Sequence, residues 1–515
     1  MGAAPGPTPK ETSSVTRDIP TDPADLGAAE ARRLIARRAL SALELTEACI
    51  ARVEAVDHAV NALVARDMDG LRAGARRADA AQAAGEPLGA LHGLPFGVKD
   101  MIDVAGLPTT FGSELYAGNI ATRDDAIVTA MRAAGAVPMG KTNNPEWSAG
   151  GNTRNRVYGA TANPHDLTRT CAGSSGGSAA GLAAGYFPLA TGSDTGGSLR
   201  NPAAFCGVVG YRPSPGVVPG DTRGIGYFPL STSGPMARNV EDTGLMLSVM
   251  ARPDMRDPYT AVVEGRTAWD AGAFARLPRR DLSSLRVAFT EDFGFAPTEA
   301  IIRAHFRTIV PRIAPLFARA EEGTPDCAGA DRIFAVLRGV LFVAQHGARL
   351  DAHPDKVGPN VTENVHEGRG FTADDIAGAL AMQGAYHQRW QDWFETHDLV
   401  ISPAVTISPR DWHELYPARI DGVATQSYYH WLAMAYASTI AGHPSITIPC
   451  GTDANGMPFG LQIVGRRYDD LGVLAVAAEL EAVIAGIADL APRGPDIAAL
   501  RAARPLSEAE GFLSL

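Results

Sequence analysis

The chain has 515 residues, 45% of them hydrophobic, which is enough apolar material for a large buried core. Its formal net charge of −11 argues against a nucleic-acid or anionic-membrane surface, because both need a positive face. The five cysteines are scattered and odd in number, and neither CxxC nor HExxH occurs. We therefore expect a reduced, cytoplasmic protein without a disulfide framework or metal site. No apolar run approaches about 18 residues, so no transmembrane span is expected.

The N-terminal part is predicted to be a tail followed by helices. Residues 1–23 are rich in Pro, Thr, Ala and Gly and lack an apolar segment, which favours a disordered tail over a signal peptide. Residues 27–40 have a helical pattern. The capping-box pattern Ser41-x-x-Glu44 predicts a second helix to about residue 60, and an Ala/Arg-rich helix is expected over about 68–84.

Short strands and helices alternate in the centre of the chain. Pro95 and Gly97 exclude a helix in the apolar run that ends at Lys99, so a strand and a turn are expected there. The alternation favours an α/β layered fold. The other central elements predicted are a helix over Ile127–Ala134, a strand over Ala136–Met139 and a helix over Ser178–Ala184.

Three residues in glycine-rich settings carry the chemistry: Lys99, Ser174 and Ser198. A serine hydroxyl is a weak nucleophile until a base takes its proton, and a lysine amine becomes such a base when burial lowers its pKa. The apolar residues before Lys99 would provide that burial. An acyl-transfer site also needs N–H donors for the oxyanion. Four consecutive backbone N–H groups are candidates, those of Thr195, Gly196, Gly197 and Ser198. The combination makes the chain a candidate amide-bond hydrolase.

The segment 171–207 resembles the signature region of the amidase signature family, which includes fatty acid amide hydrolase, malonamidase and the A subunit of glutamyl-tRNA amidotransferase. The segment 91–100 resembles the family's lysine motif, and the likeness covers roughly residues 25–485. It implies an amidase-signature fold, a mixed central β-sheet flanked by α-helices on both sides. It also favours one domain over 24–515, in which the largely helical part 255–395 varies. Substrate choice is expected to depend on this part or on the loop that follows it. Further stretches that resemble family blocks are 140–146, 159–164, 233–238, 442–449 and 460–466.

The resemblance also implies roles for individual residues. Ser198 would be the acylated nucleophile, Ser174 a bridging serine with a cis peptide bond to Gly173, and Lys99 the ultimate base. Neither a metal nor an organic cofactor would take part. Arg212 stands where a lysine is more frequent in the family. The residues expected to support the site are Ser175, Asp194 and Arg200.

The substrate pocket is harder to predict from sequence. An aromatic-rich stretch is either core packing or an apolar pocket wall. On the second interpretation the substrate is an aryl or alkyl amide, cleaved to a carboxylic acid plus amine or ammonia, with carbamates and esters as side substrates. The enzyme would be a monomer or homodimer. The aromatic residues are Trp412, Tyr416, Tyr428, Tyr429, Trp431 and Tyr436, and the expected pocket residues are Asn144, Trp147, Gly173 and Trp431, with Met131 as a further candidate.

Three alternatives remain open. The segment 173–177 fits the GxSxG nucleophile elbow with Ser175 as nucleophile, which an inactive His443→Ala variant beside an active Ser198→Ala variant would favour. The same glycines could cradle a phosphate before the helix at 178, although no GK[ST] closes the motif. The chain could also be the glutaminase (the A subunit) of a tRNA amidotransferase, a role that requires partner subunits.

Overall fold

The computed structural model describes residues 21–220 and 223–514, in which short strands and helices alternate. Its strands are β1 (Leu63–Arg66), β2 (Pro95–Lys99), β3 (Val137–Thr142), β4 (Arg154–Asn155), β5 (Gly159–Ala160), β6 (Ala162–Asn163), β7 (Asp166–Thr170), β8 (Leu189–Asp194), β9 (Val209–Arg212), β10 (Thr232–Ala237), β11 (Val262–Val263), β12 (Arg266–Thr267), β13 (Arg286–Phe289), β14 (Arg319–Glu322), β15 (Leu399–Pro403), β16 (Arg419–Ile420), β17 (Val423–Ala424), β18 (Ser445–Thr452) and β19 (Pro458–Gly465). Its α-helices are α1 (Ala28–Ala36), α2 (Ala42–Val60), α3 (Met68–Ala83), α4 (Ala126–Ala133), α5 (Gly176–Ala183), α6 (Arg200–Cys206), α7 (Val240–Met250), α8 (Ala271–Phe274), α9 (Ala300–Ile313), α10 (Ala330–Ala352), α11 (Pro359–Gly370), α12 (Ala373–Thr396), α13 (Ala433–Ala441), α14 (Asp470–Ala485) and α15 (Ile497–Ala502).

An eleven-stranded sheet forms the centre of the structure, in the order β1-β3-β2-β8-β10-β9-β18-β19-β15-β13-β14. Strand β2 runs parallel to β3 and β8, and β13 runs parallel to β14 and β15. The remaining neighbours in this sheet are antiparallel. This mixed sheet with helices around it confirms the predicted α/β fold class.

The pairing of β2 with β8 determines where the site forms. Gly97 lies opposite Ala190, and the two strands are parallel, so their carboxyl ends reach the same edge of the sheet. Helix α5 packs against both strands and against β3. Gly177 makes this close approach possible, because a Cβ there would lie 2.3 Å from the backbone nitrogen of Asn143. The loop before α5 is therefore held next to the ends of β2 and β8.

Most predicted elements are present, with shifted ends. The capping box is formed as predicted: Ser41 Oγ accepts from the Glu44 N–H, and the Glu44 carboxylate accepts from the Ser41 N–H. The first helix is shorter than residues 27–40. It ends at Ala36, because Arg38 adopts a left-handed conformation with φ of 58°. Helix α5 begins at Gly176, two residues before its predicted start.

The expected tail, residues 1–23, lies outside the described residues except for its last three. The end of this range does not fit a free tail. The Asp22 carboxylate pairs with Arg52 of α2 at 2.7 Å, and it also accepts from the Ala24 N–H at 3.0 Å. Asp25 pairs with the same guanidinium at 2.9 Å. The chain is thus tied to α2 from residue 22 onward.

The part 255–395 contains α8 to α12, and it also contributes β13 and β14 to one edge of the main sheet. Among the helices of the described ranges, α10 alone is long and apolar enough to cross a membrane by length and composition. It packs against α11, α12 and α13, and 61% of its most apolar window is buried, as in a core helix. The division into a tail and one domain remains a prediction.

Candidate active site

Lys99 is fully buried at the carboxyl end of β2. Its Nζ donates to Ser174 Oγ at 2.7 Å and to Ser193 Oγ at 3.0 Å, and no carboxylate pairs with it among the described residues. Its backbone N–H donates to Thr191 Oγ1. Burial lowers the pKa of Lys99 to about 7, although the charge of Asp194 acts in the opposite direction. A neutral amine is therefore accessible near neutral pH.

Ser174 lies in the turn between β7 and α5, and its peptide bond to Gly173 is cis, as the resemblance implies. Ser174 is buried, whereas Ser198 is partly exposed, and both line one cavity. The N–H of Ser175 donates to the Ser198 carbonyl at 3.2 Å, which ties the two serine segments together. Lys99 is the hydrogen-bond partner of the Ser174 hydroxyl, and no hydrogen bond joins the Ser174 and Ser198 hydroxyls in the described part of the chain.

The loop before Ser198 lines the cavity and carries backbone N–H groups without acceptors among the residues described. The N–H groups of Thr195, Gly196 and Ser198 donate to no acceptor within residues 21–220 and 223–514. Gly197 differs, because its N–H donates to Asp194 Oδ1 at 2.9 Å. Its φ of 104° is a conformation that favours glycine. Three of the four expected oxyanion donors are therefore free, and Gly197 is committed to shaping the loop.

The fully buried Asp194 carboxylate supports this loop from below. It accepts from Arg200 at 3.0 and 3.1 Å, from Arg212 at 3.2 Å and from the Leu199 N–H at 3.2 Å. Burial alone would raise the pKa of Asp194, but the two guanidinium groups more than offset it and hold the pKa well below its usual range. A fixed negative charge therefore orients the loop.

Arg200, an expected supporting residue, is buried and donates further to Ser438 Oγ at 2.8 Å and Gln462 Oε1 at 2.7 Å. Sequence reasoning did not assign Arg212 to the site. Its Nη1 also donates to the Asp194 carbonyl at 2.5 Å. Burial lowers the pKa of Arg212 to about 10, although the charge of Asp194 acts in the opposite direction. The signal that could have found it is a charged residue within the buried strand β9.

Ser175 supports the site rather than facing the cavity. Its hydroxyl donates to the Ser193 carbonyl at 3.4 Å and accepts from the Ser193 N–H at 3.3 Å. The histidine named for the nucleophile-elbow alternative, His443, is buried and has Gly465 and Gln391 as its partners. Burial lowers the pKa of His443 to about 3. The contacts of both residues therefore speak against that alternative.

A cavity of about 250 Å³ lies over Ser174 and Ser198. Trp147 and Phe228 form part of its apolar wall. Helix α10 contributes five residues to the wall, so the part 255–395 reaches the cavity. The α10 residues that line the cavity are Arg338, Leu341, Phe342, Gln345 and His346.

Of the expected pocket residues, Trp147 lines the cavity, and Asn144, Gly173 and Trp431 do not. Asn144 is buried, and its amide donates to the neighbouring Pro145 carbonyl at 2.8 Å. Gly173 precedes Ser174 but faces Gly150 and Thr153 instead of the cavity. These residues are adjacent to catalytic motifs in sequence, and their side chains or faces point into the protein.

Trp431 and the rest of the aromatic stretch pack in the core. A Cβ at Gly151 would lie 2.1 Å from the Trp431 ring, and the Phe205 ring lies 6.2 Å from it. Met131 is likewise buried in the main core. The structure therefore favours the core-packing interpretation of this stretch. Its other members, all in or against core clusters, are Trp412, Tyr416, Tyr428, Tyr429 and Tyr436.

Across residues 21–220 and 223–514, no group of three or more His, Cys, Asp or Glu side chains could hold a metal ion. The five cysteines are free and buried.

Fold and site together define the class, a hydrolase of α/β fold whose cavity is lined by serines beside a buried lysine. The model of the Amidase family matches residues 44–474, so the chain belongs to this family. It is an amidase signature enzyme, a hydrolase that acts on amide C–N bonds.

Individual relatives agree with this assignment. The chain is 35% identical over 462 residues to an acylamidase of Rhodococcus erythropolis, covering 89% of this chain and 95% of the relative. It is 34% identical over 501 residues to the A subunit of the glutamyl-tRNA(Gln) amidotransferase of Salinispora arenicola, covering 90% and 98%. The crystal structure of a bacterial aryl acylamidase superposes with a TM-score of 0.81 at 26% identity, covering 89% and 96%.

Proposed function

We propose that this amidase works alone, without partner subunits, and hydrolyses small amides through an acyl-enzyme on Ser198. The observation that carries the proposal is the contact of Lys99 Nζ with Ser174 Oγ at 2.7 Å, made by a buried lysine whose pKa is lowered to about 7. A lysine in that state can accept a serine proton. Solvated lysines, with a pKa near 10.4, cannot do so at neutral pH.

The proton moves in two steps. The neutral Lys99 amine takes the proton of the Ser174 hydroxyl, and Ser174 takes the proton of Ser198 as Ser198 Oγ attacks the amide carbon. Ser198 and Ser174 line the same cavity, but their hydroxyls are not hydrogen-bonded to each other in the described structure. Substrate binding must therefore bring the two hydroxyls into hydrogen-bond contact. Ser174 then gives the proton it took from Ser198 to the leaving nitrogen as the C–N bond breaks. The Lys99 ammonium returns a proton to Ser174, which restores the neutral amine. Water cleaves the acyl ester and releases the carboxylic acid.

The negative charge of the tetrahedral intermediate needs nearby donors. The free N–H groups of Thr195, Gly196 and Ser198 are suited to this role, while the Gly197 N–H to Asp194 contact holds the loop in shape. Asp194, Arg200 and Ser175 act as positioning residues. Asp194 binds the loop backbone and Arg200, Arg200 also donates to Ser438 and Gln462, and Ser175 binds the Ser193 backbone of β8. The mechanism uses no cofactor.

The acylamidase relative favours a stand-alone enzyme, and the amidotransferase relative keeps the glutaminase role as the second candidate. Apolar amides fit the cavity wall formed by Trp147, Phe228, Leu341 and Phe342. The apolar wall, and not the aromatic stretch, is therefore the reason to expect aryl or alkyl amides. We further propose a cytoplasmic monomer or homodimer, in keeping with five free, buried cysteines.

The test is turnover of an amide panel by the purified chain and by Ser198→Ala. The panel holds acetanilides, fatty amides, glutamine and an aryl carbamate, with released amine or ammonia as readout. We expect Ser198→Ala to be about 10,000-fold slower or worse on every substrate that the wild type cleaves. Turnover of glutamine alone, or no turnover without added partner proteins, would replace the stand-alone role with the amidotransferase role.

Trapping the acyl group provides a second readout. An activated aryl ester should add one acyl mass to the wild type in intact-protein mass spectrometry, and none to Ser198→Ala. The matched control is Ser233→Ala, a second serine on the same cavity wall, which should still form the adduct. An adduct that persists in Ser198→Ala would assign the nucleophile elsewhere.

A further inference from the structure

Among the residues that the structure describes, three charged side chains line the cavity: Asp125, Arg223 and Arg338. Two of them have partners within the protein. Asp125 caps α4 by accepting from the Ile127 N–H at 2.9 Å. Arg223 pairs with the Asp257 carboxylate through two contacts of 3.0 Å, and its third nitrogen donates to a backbone carbonyl. These two groups are used by the fold itself.

Arg338 is different. It is only 5% exposed, and its Nε donates to Asn364 Oδ1 at 2.9 Å. Its Nη1 and Nη2 donate to no acceptor, and no carboxylate lies within 4 Å of them, among the described residues. The Glu367 carboxylate, which acts on Arg338 electrostatically, accepts instead from the Tyr429 hydroxyl at 2.8 Å. The cavity wall therefore carries a buried guanidinium with unused donors.

Aromatic rings hold this guanidinium in place. Its Cζ lies 4.5 Å from the centroid of Phe342, 5.1 Å from Tyr428, 5.6 Å from Tyr429 and 5.8 Å from Phe334. Ring faces attract a cation, but they do not consume its N–H groups. A buried cation without a hydrogen-bonded anion is costly, so such groups are normally paired. The unused Nη donors of Arg338 are therefore available to an anion that enters the cavity.

The guanidinium is also close to the reacting end of the cavity. Phe334 lies one helical turn before Arg338, and a Cβ at Gly196 would lie 2.9 Å from the Phe334 ring. The ring that touches the oxyanion loop is therefore also a neighbour of Arg338. Because Arg338 and Ser198 line one cavity of about 250 Å³, a single small molecule can reach both.

We propose that the preferred amide carries a carboxylate group, which the two Nη atoms of Arg338 bind in parallel. The planar fork of arginine matches a carboxylate, and such charge-assisted pairs are among the strongest hydrogen bonds. The inference rests on the proposed amidase function and names its substrate class. Gln345 and His346 beside Arg338 add no charge, since burial and the nearby arginines lower the pKa of His346 to about 3.

The wild-type enzyme provides the first test through matched pairs of amides. Mono-anilides of succinic, glutaric, adipic and suberic acid are compared with anilides of alkanoic acids of the same length. N-acetyl aminobenzoates are compared with N-acetyl toluidines, which places the carboxylate on the leaving group instead. For at least one pair, kcat/KM should be about 10- to 100-fold higher for the carboxylate member. Equal or lower values for every pair would overturn the proposal.

Variants of Arg338 provide the second test. Arg338→Met should remove the preference within a pair, with the neutral member changed less than about threefold, and Arg338→Lys should restore part of it. The control is Arg223→Met, which removes the other wall cation and should affect both members of a pair alike. Equal losses for both members in Arg338→Met would reduce Arg338 to a packing residue. If Arg338→Met fails to fold, the kcat/KM values of the wild type on the matched pairs of amides decide the proposal.

A binding measurement separates this inference from the amidase proposal. Adipate and suberate should raise the thermal unfolding midpoint of the wild type, and also that of Ser198→Ala, more than the corresponding diols do. The gain should disappear in Arg338→Met. Carboxylate stabilisation without any amide turnover would sink the proposed function alone. Serine-dependent turnover without carboxylate preference or stabilisation would sink the Arg338 inference alone.

Discussion

Two regions of the site differ in how their buried polar groups are paired. One, here called the floor, comprises Lys99, the two serine segments and the buried network around Asp194. The other is the cavity wall formed by α10. On the floor, the Asp194 carboxylate accepts hydrogen bonds from four residues, and Arg200 also donates to Gln462 of β19. On the wall, the Nη atoms of Arg338 have no acceptor, and His346 Nδ1 is buried without a partner, within the described ranges. Both regions are buried, so the difference lies in pairing and not in exposure.

This difference separates groups that hold the site from groups that meet the ligand. A network in which every charge has a partner fixes the loop, although Arg212 Nε is buried without an acceptor in the described part of the chain. The N–H groups of Thr195, Gly196 and Ser198 keep no acceptor within these residues. Unpaired groups on the wall keep hydrogen-bonding capacity for a molecule that enters. Changing a floor residue should therefore lower the rate for all substrates, and changing a wall residue should alter the choice among them.

Replacing the buried lysine should have the largest effect. Lys99→Met removes the amine that accepts the proton of Ser174, and we expect kcat to fall about 100- to 10,000-fold for every amide. In the wild type, kcat/KM should rise with pH through about 7, where Lys99 loses its proton. A pH profile that stays flat from 5 to 9, with chemistry rate-limiting, would contradict the role of Lys99.

The same lysine should destabilise the folded protein at low pH. Its pKa falls from 10.5 to about 7 on folding, so the unfolded state binds more protons between these values, and stability rises with pH across that window. The shift corresponds to roughly 4–5 kcal/mol at and below pH 7. Lys99→Met should accordingly melt above the wild type at pH 6, with the difference in Tm shrinking toward pH 10. A constant difference in Tm would argue against the lowered pKa.

Breaking the network around Asp194 should lower the free energy of unfolding by somewhat less than the sum of its individual contacts suggests. Asp194→Asn leaves the guanidinium groups of Arg200 and Arg212 buried without an anion, and we expect a loss of about 3–5 kcal/mol in the free energy of unfolding. Activity should fall for all amides alike. The comparison variant is Glu30→Gln, which breaks the exposed pair with Arg33 and should change stability by less than about 1 kcal/mol. Urea unfolding of both variants measures the contrast.

The floor could be predicted from the sequence because its chemistry lies in contiguous motifs. Lys99 ends a strand, and the two serines sit in glycine-rich turns, so local backbone rules already indicate where they belong. Parallel pairing of β2 with β8 then brings the strand ends together. Counting N–H groups along the loop predicts Gly197 as an oxyanion donor, but it does not show that the Gly197 N–H already donates to Asp194.

The wall could not be predicted in the same way. Arg338 and Phe342 belong to a helix more than 130 residues after Ser198, and nothing in their spacing distinguishes a cavity face from a core face. The expected pocket residues Asn144 and Trp431 are both turned into the protein. Tertiary packing decides which face of an element meets the cavity, and that information is not local.

Trp147 in the cavity wall and Trp431 in the core test the difference between wall and core residues, with the smallest effects expected here. Trp147 lines the cavity and stacks on Phe111 with ring centroids 5.0 Å apart, whereas Trp431 is 3% exposed in the core and its Nε1 has no partner in the described residues. In Trp147→Phe, kcat/KM should change about three- to tenfold, and more for bulky amides than for acetamides, because the wall is reshaped.

In Trp431→Phe, all amides should keep kcat/KM within about twofold of wild type, because the indole makes no contact with the cavity. The free energy of unfolding should drop by about 1–2 kcal/mol, since a void replaces part of the ring while the unpartnered N–H is removed. Kinetics on a short and a bulky amide, together with urea unfolding of both variants, separate the two outcomes. A substrate-dependent change in Trp431→Phe equal to that in Trp147→Phe would show that the cavity extends into the aromatic core, and the boundary between wall and core would have to be redrawn there.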